Sequence, residues 1–145
     1  MVLSYDISKY DKGKPNADIS MITDYDQRYL KIIGKFFYKD LPGWNDKTGE
    51  KFNVILARGG QIAAYWYRMR LVGAAVWERE GDDWRLLHIC LKWKQQRQGH
   101  GRVLLDFVLH KIQETAAQGQ LKASLPKNAT TNFFKDYGFS ETIDS

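Results

Sequence analysis

Two glycines one residue apart, set in a run of cations, carry the clearest chemistry in this chain. The segment reads Leu91-Lys92-Trp93-Lys94-Gln95-Gln96-Arg97-Gln98-Gly99-His100-Gly101-Arg102. Glycine at 99 and 101 lets the main chain approach a ligand closely and take up dihedrals that other residues avoid. If a helix starts here, its unpaired N–H groups and its dipole make an anion site. Arg97 and Arg102 bring positive charge to the same end. The chemistry on offer is therefore the capture of a phosphate or another polyanion. The competing reading is a strand-to-helix turn whose cations face water.

Such a turn needs a strand before it and a helix after it. Residues 84–93 hold the apolar run Leu86-Leu87-His88-Ile89-Cys90-Leu91, the pattern of a central strand buried on both faces. Residues 101–117 place Leu105, Val108, Leu109, Ile112 and Ala116 on one helical face, and Gly119 suits a C-terminal cap. Upstream, alternation at Leu3, Tyr5 and Ile7 predicts a strand over 3–10. The stripe Tyr29, Leu30, Ile32, Ile33, Phe36 and Phe37 predicts a helix over 24–39, followed by a loop that exposes Trp44. Strands are expected over 52–57, 62–67 and 71–78, with turns at Gly59-Gly60, Arg68-Met69-Arg70 and Gly81-Asp82-Asp83. A short strand over 121–125 and a short helix over 130–137, stopped by Gly138, follow. This order predicts an α+β fold in which 84–93 and 121–125 form a parallel pair.

The bulk of the sequence narrows the class. With 145 residues, 43% hydrophobic and 14% aromatic, the chain has enough apolar surface for one packed domain over 1–145. No apolar run approaches the roughly 20 residues of a membrane helix, and the first residues lack the basic and apolar regions of a signal peptide. One cysteine, Cys90, excludes an internal disulfide framework, and with His88, His100 and His110 it makes no metal-ligand spacing. A cytoplasmic location is expected. The net charge is +5, and residues 91–111 alone hold five cations against Asp106, or +4. Glu78-Arg79-Glu80-Gly81-Asp82-Asp83 has the opposite sign. That asymmetry disfavours a uniformly basic nucleic-acid binder. The sequence also contains no Gly-x-x-x-x-Gly-Lys-Ser/Thr, Gly-x-Ser-x-Gly or Gly-x-Gly-x-x-Gly pattern.

Gln96-Arg97-Gln98-Gly99-His100-Gly101 resembles the acetyl-CoA signature of the GNAT superfamily of acyl-CoA-dependent N-acyltransferases, Gln/Arg-x-x-Gly-x-Gly/Ala. A later segment, Asn128-Ala129-Thr130-Thr131-Asn132-Phe133-Phe134-Lys135-Asp136-Tyr137-Gly138-Phe139, is similar to the same family's asparagine, short helix and Gly-Phe. The resemblance covers roughly residues 71–139. It implies a central mixed sheet with a splayed parallel strand pair and helices on both faces. It also implies pantetheine bonded to main-chain groups of Ile89, Cys90 and Leu91, and a pyrophosphate on the N–H groups of residues 97–102. Gln96, Arg97, Gln98, Gly99, His100, Gly101 and Arg102 form that turn, and Asn128 and Phe134 border the cofactor from the other side. The reaction implied is acetyl transfer from acetyl-CoA to an amine.

The match departs from the family at the catalytic positions. Where many members carry a tyrosine that protonates the departing thiolate, this chain has Phe134; Tyr137 lies one turn on. Where some carry a glutamate base, this chain has about Ser124. Glu78 and His88 remain as candidate bases on neighbouring strands, each with a structural alternative as an ordinary paired or core residue. A non-catalytic module that binds acetyl-CoA and a partner therefore stays open beside the enzyme. The acidic residues outside the basic segment predict a cationic acceptor. Family members usually continue past the Gly-Phe with two more strands, where this sequence has only residues 140–145. A shortened, uncovered sheet edge and a homodimer through it are expected.

Overall fold

The computed structural model describes residues 1–92, 99–125 and 131–142. Its centre is one mixed sheet of seven strands: β1 (Val2–Asp6), β2 (Asp18–Ile22), β3 (Gln61–Tyr67), β4 (Arg70–Glu80), β5 (Asp83–Leu91), β6 (Gln120–Ser124) and β7 (Ser140–Glu141), in the order β2-β3-β4-β5-β6-β1-β7. All neighbours are antiparallel except β5 and β6, the expected parallel pair. Four helices flank the sheet: α1 (Gln27–Asp40), α2 (Glu50–Ala57), α3 (His100–Thr115) and α4 (Thr131–Tyr137).

Helices pack on both faces, giving two apolar layers. On one, Leu104, Leu105, Val108, Leu109 and Ile112 of α3 and Phe134 of α4 meet Leu3, Ala75, Trp77, Leu86 and Leu121. On the other, Leu30, Ile33 and Phe37 of α1, spaced by one helical period, meet Phe52 and Ile55 of α2 and Ile62, Ala74 and Val76 of the sheet.

Several sequence expectations change. Residues 52–57 are not a strand but lie in α2. Phe52 and Ile55 are buried three apart while Val54 is 63% exposed, a helical spacing that the β-rich composition hides. The helix starts because Gly49, at φ +83, turns the chain so tightly that a Cβ there would lie 2.4 Å from the Leu30 carbonyl oxygen. Trp44 is buried, not exposed. It stacks on Phe52 at 5.1 Å and donates its indole N–H to the Asp46 carbonyl at 2.7 Å. Gly119 does not cap α3, which ends at Thr115; its Cβ would lie 2.5 Å from the carbonyl oxygen of Asp82 in the β4–β5 turn. The strand at Asp18–Ile22 was not anticipated, and the one expected over 3–10 stops at Asp6 before a 3-10 turn, Ile7–Lys9.

The C-terminal edge of the sheet is short, as expected: β7 holds two residues, Ser140–Glu141. The edge of β6 is covered, because β1 pairs with it along five residues from Val2–Ser124 to Asp6–Gln120. Strand β7 then adds to β1 only at Leu3 and Ser4.

Candidate active site

The site begins with an interruption in the sheet. Strands β5 and β6 pair at Trp84–Leu121, Arg85–Lys122 and Leu86–Ala123, and their pairing stops there although β5 runs on to Leu91. Toward that end β5 keeps its bonds to β4, with Ile89 opposite Ala75 and Cys90 opposite Ala74. Strand β6 ends at Ser124, one residue past its last pairing, so the candidate cleft is the space beside β5 beyond that end, with main-chain groups of Leu87 to Cys90 on one wall. Gly99 follows at the same end, at φ +80, and α3 starts at His100. The strand, Gly99 and the helix follow one another in the expected order, and residues 93–98 lie outside the described residues.

A bulge in β5 sets which side chains face which layer. Val76 opposes His88 and Trp77 opposes Leu86, so Leu87 is the extra residue. Trp84 and Leu86 face the α3 layer, Leu87 packs on the α1–α2 layer, and Ile89 returns to the α3 layer. His88 is consequently turned toward α1 and α2, where its ring meets Phe37 at 6.1 Å and Trp44 at 5.1 Å, both edge-on. Burial, and then the charge of Lys51, push its pKa below the usual histidine range. It is held neutral in an aromatic wall.

The remaining candidates fall in different settings. Both carboxylate oxygens of Glu78 accept from Arg58, at 2.6 and 3.2 Å. Ser124 ends β6 opposite Val2 and is exposed. Tyr137 is buried and donates its hydroxyl to Asp106. Burial, then that bond and the Asp106 charge, raise its pKa well above the tyrosine range. Phe134 is buried between Phe133 and Phe139, with ring centroids 5.2 and 5.3 Å away. The Cys90 side chain is buried, and burial foremost pushes its thiol up to about 12.

At the glycine turn, the two glycines serve different ends. Among the described residues no atom lies within 4 Å of a Cβ built at Gly99, whose need is its positive φ. A Cβ at Gly101 would meet Leu91 and the Phe133 ring at 2.8 Å, so this glycine lets α3 pack against α4 and β5. The side chain of His100 does not face solvent. It is 7% exposed, with Nδ1 2.9 Å from the Tyr65 hydroxyl and its ring 4.9 Å from that of Tyr67. Arg102 is exposed and lies over Tyr137 at 5.8 Å. Gln96, Arg97, Gln98 and Asn128 lie outside the described residues. The sequence did not reveal Tyr65, Arg58 or Asp106 as partners of His100, Glu78 and Tyr137; they lie 35, 20 and 31 residues away from them along the chain.

Residues 44–145 match the family model of the acetyltransferase (GNAT) domain. No curated protein matches the chain. Among solved structures, the ribosomal-protein-S18-alanine N-acetyltransferase from Escherichia coli is similar in fold, with a TM-score of 0.70 at 16% identity over 86% of this chain and 78% of that one. An aminoglycoside N-acetyltransferase in complex with CoA has a TM-score of 0.72 at 14% identity, over 93% of this chain and 95% of its own.

Proposed function

The chain belongs to the acetyltransferase (GNAT) family, and from that premise we propose that it is a cytoplasmic enzyme of one domain that moves an acetyl group from acetyl-CoA to an amine. The run of β5 beyond its last pair with β6 at Leu86–Ala123, with Gly99 and the start of α3 at the same end, carries this reading. Main-chain groups of Ile89 and Cys90 offer pantetheine the bonds an added strand would make. The N–H groups at the start of α3 receive the pyrophosphate, with Arg102 beside them. Two similar folds are named for N-acetylation, of a ribosomal-protein alanine and of aminoglycosides, which supports an amine acceptor. The acidic groups Asp40, Asp46, Glu78, Glu80, Asp82 and Asp83 favour a cationic one. A second copy would add along β1 and β7, where β7 covers only two residues of β1.

For the chemical step, His88 is the preferred base. It is neutral and therefore able to take the amine proton, whereas Glu78 is engaged by Arg58. The enzyme contributes mainly positioning, and the thioester is already activated. A second reading, a non-catalytic acetyl-CoA-binding module, draws on two observations: Phe134 has no proton to give, and the Tyr137 hydroxyl is committed to Asp106.

The test is calorimetric titration with acetyl-CoA on the wild type and Gly99→Asp. Aspartate tolerates a positive φ better than most residues, and there is room for it at 99. Its charge should weaken binding at least about tenfold, or 1.4 kcal/mol, in a folded protein. Unchanged affinity rejects the cofactor site. Release of free thiol across a panel of amines then separates enzyme from module.

A further inference from the structure

On the sheet's far edge, away from β6, lies a groove of about 460 Å³ that the proposed reaction does not use. Asp18 of β2, Asp26 before α1, Tyr29 of α1, Trp66 of β3 and Met69 in the β3–β4 turn line it. Tyr29 and Trp66 meet edge to face at 5.8 Å and form its aromatic wall. Met69, 94% exposed, stands at its rim, and Tyr25 nearby is 92% exposed. Among the described residues β2 pairs with β3 alone, so its other edge turns main-chain groups outward, although the Ile19 N–H already donates to the Ala17 carbonyl at 3.0 Å.

The charge here runs against that of the whole. Residues 18–29 hold Asp18, Asp24 and Asp26 against Arg28, three minus one, or −2, in a chain of net +5. None of the three aspartates joins an ion pair among the described residues. Asp26 accepts from the Thr23 N–H and hydroxyl through one carboxylate oxygen, at 2.9 and 3.0 Å. Of the two cations at the adjoining turn, Arg70 begins β4 and Arg68 lies over Tyr67 at 5.3 Å. Tyr67 faces His100 on the opposite side of the sheet from Trp66, which takes that charge away from the groove.

We propose that this groove docks an extended cationic peptide, which adds as a strand to the free edge of β2 and lays a lysine or arginine side chain against Tyr29 and Trp66 with its charge toward Asp18 and Asp26. Main-chain pairing supplies affinity and the aromatic, acidic wall supplies selection for a cation. The site is independent of acetyl-CoA binding and stands or falls separately from it.

The experiment uses a labelled eight-residue peptide alternating lysine with threonine, and the same peptide with glutamine in place of lysine. Fluorescence anisotropy should show at least tenfold tighter binding of the lysine peptide, weakening with salt. Asp18→Asn/Asp26→Asn should reduce that affinity at least fivefold, and Met69→Lys, at a fully exposed position, should also reduce it. Acetyl-CoA affinity should stay unchanged in both variants, which also reports that they are folded. Amide hydrogen exchange should slow in residues 18–22 when the lysine peptide is bound. Equal binding of the glutamine peptide, unchanged affinity in the aspartate double variant, or no slowing in β2 would overturn the proposal. So would a dimer in sedimentation that pairs through β2 and excludes the peptide.

Discussion

His88 owes its chemistry to where one extra residue puts it. Its depressed pKa means that the unfolded chain binds a proton more readily than the folded one, so stability is complete above about pH 6.5 and falls as pH drops from there toward the folded value. As base, the neutral ring should keep kcat/KM flat down to a pH below about 6.5, with an acid limb beneath. His88→Gln should lower turnover roughly 10²–10⁴-fold and abolish that limb; a retained limb assigns the proton elsewhere. Tyr137→Phe separates the alternatives from the other side. It removes the bond to Asp106 and should cost about 1 kcal/mol in thermal or urea unfolding, with turnover little changed. A large loss of turnover at unchanged stability would return the acid role to Tyr137. The residue types were legible in the sequence, but their engagements were not. Arg58 reaches Glu78 only because α2 lies across β4, and nothing local to position 78 encodes that.

At the scale of elements, the close approach of α1 and α2 bears most on the acceptor side of the cleft. Gly34 and Gly49 face one another: a Cβ at Gly34 would lie 2.7 Å from the Gly49 nitrogen, and one at Gly49 would overlap the Leu30 carbonyl. Gly49→Ala meets both a positive φ and a backbone clash. It should destabilise the fold by at least about 2 kcal/mol in a denaturant titration, and a neutral result would mean that the two helices sit farther apart. The elements most legible in the sequence were those whose pattern matches one structural period over a long run. Strands β3, β4 and β5 and helices α1 and α3 qualify. Helix α2 was misread because Phe52, Val54, Ile55 and Leu56 are residues that strands also favour, and eight residues leave little room for a period to show. Strand β2 escaped because Asp18–Ile22 is five residues long with a single buried side chain, Ile22. The cleft was implied only by the family resemblance of the segments at 96–101 and 128–139, whereas the bulge at Leu87, which decides where His88 points, leaves no mark on composition.

Across the whole molecule, β1 joins distant parts of the chain. Leu3 is fully buried between β6 and β7, the Met1 carbonyl accepts from the Leu125 N–H at 2.9 Å, and the Gln113 amide donates to Ile7 and Tyr10 carbonyls at 2.8 Å. Leu3→Ala should cost about 2–5 kcal/mol. Because β6 borders the proposed cofactor cleft, acetyl-CoA affinity should fall with it, and calorimetry on the folded fraction checks this. A variant that is destabilised but binds acetyl-CoA normally would uncouple β1 from the cleft. The same pairing has a consequence in time. During synthesis Val2–Asp6 has no strand to join until Gln120–Ser124 has left the ribosome, a wait on the order of ten seconds at ordinary elongation rates. For that interval the apolar side of β1 must be sheltered by something other than its own sheet, and the cleft beside β5 and β6 has no second wall until well after the first has formed.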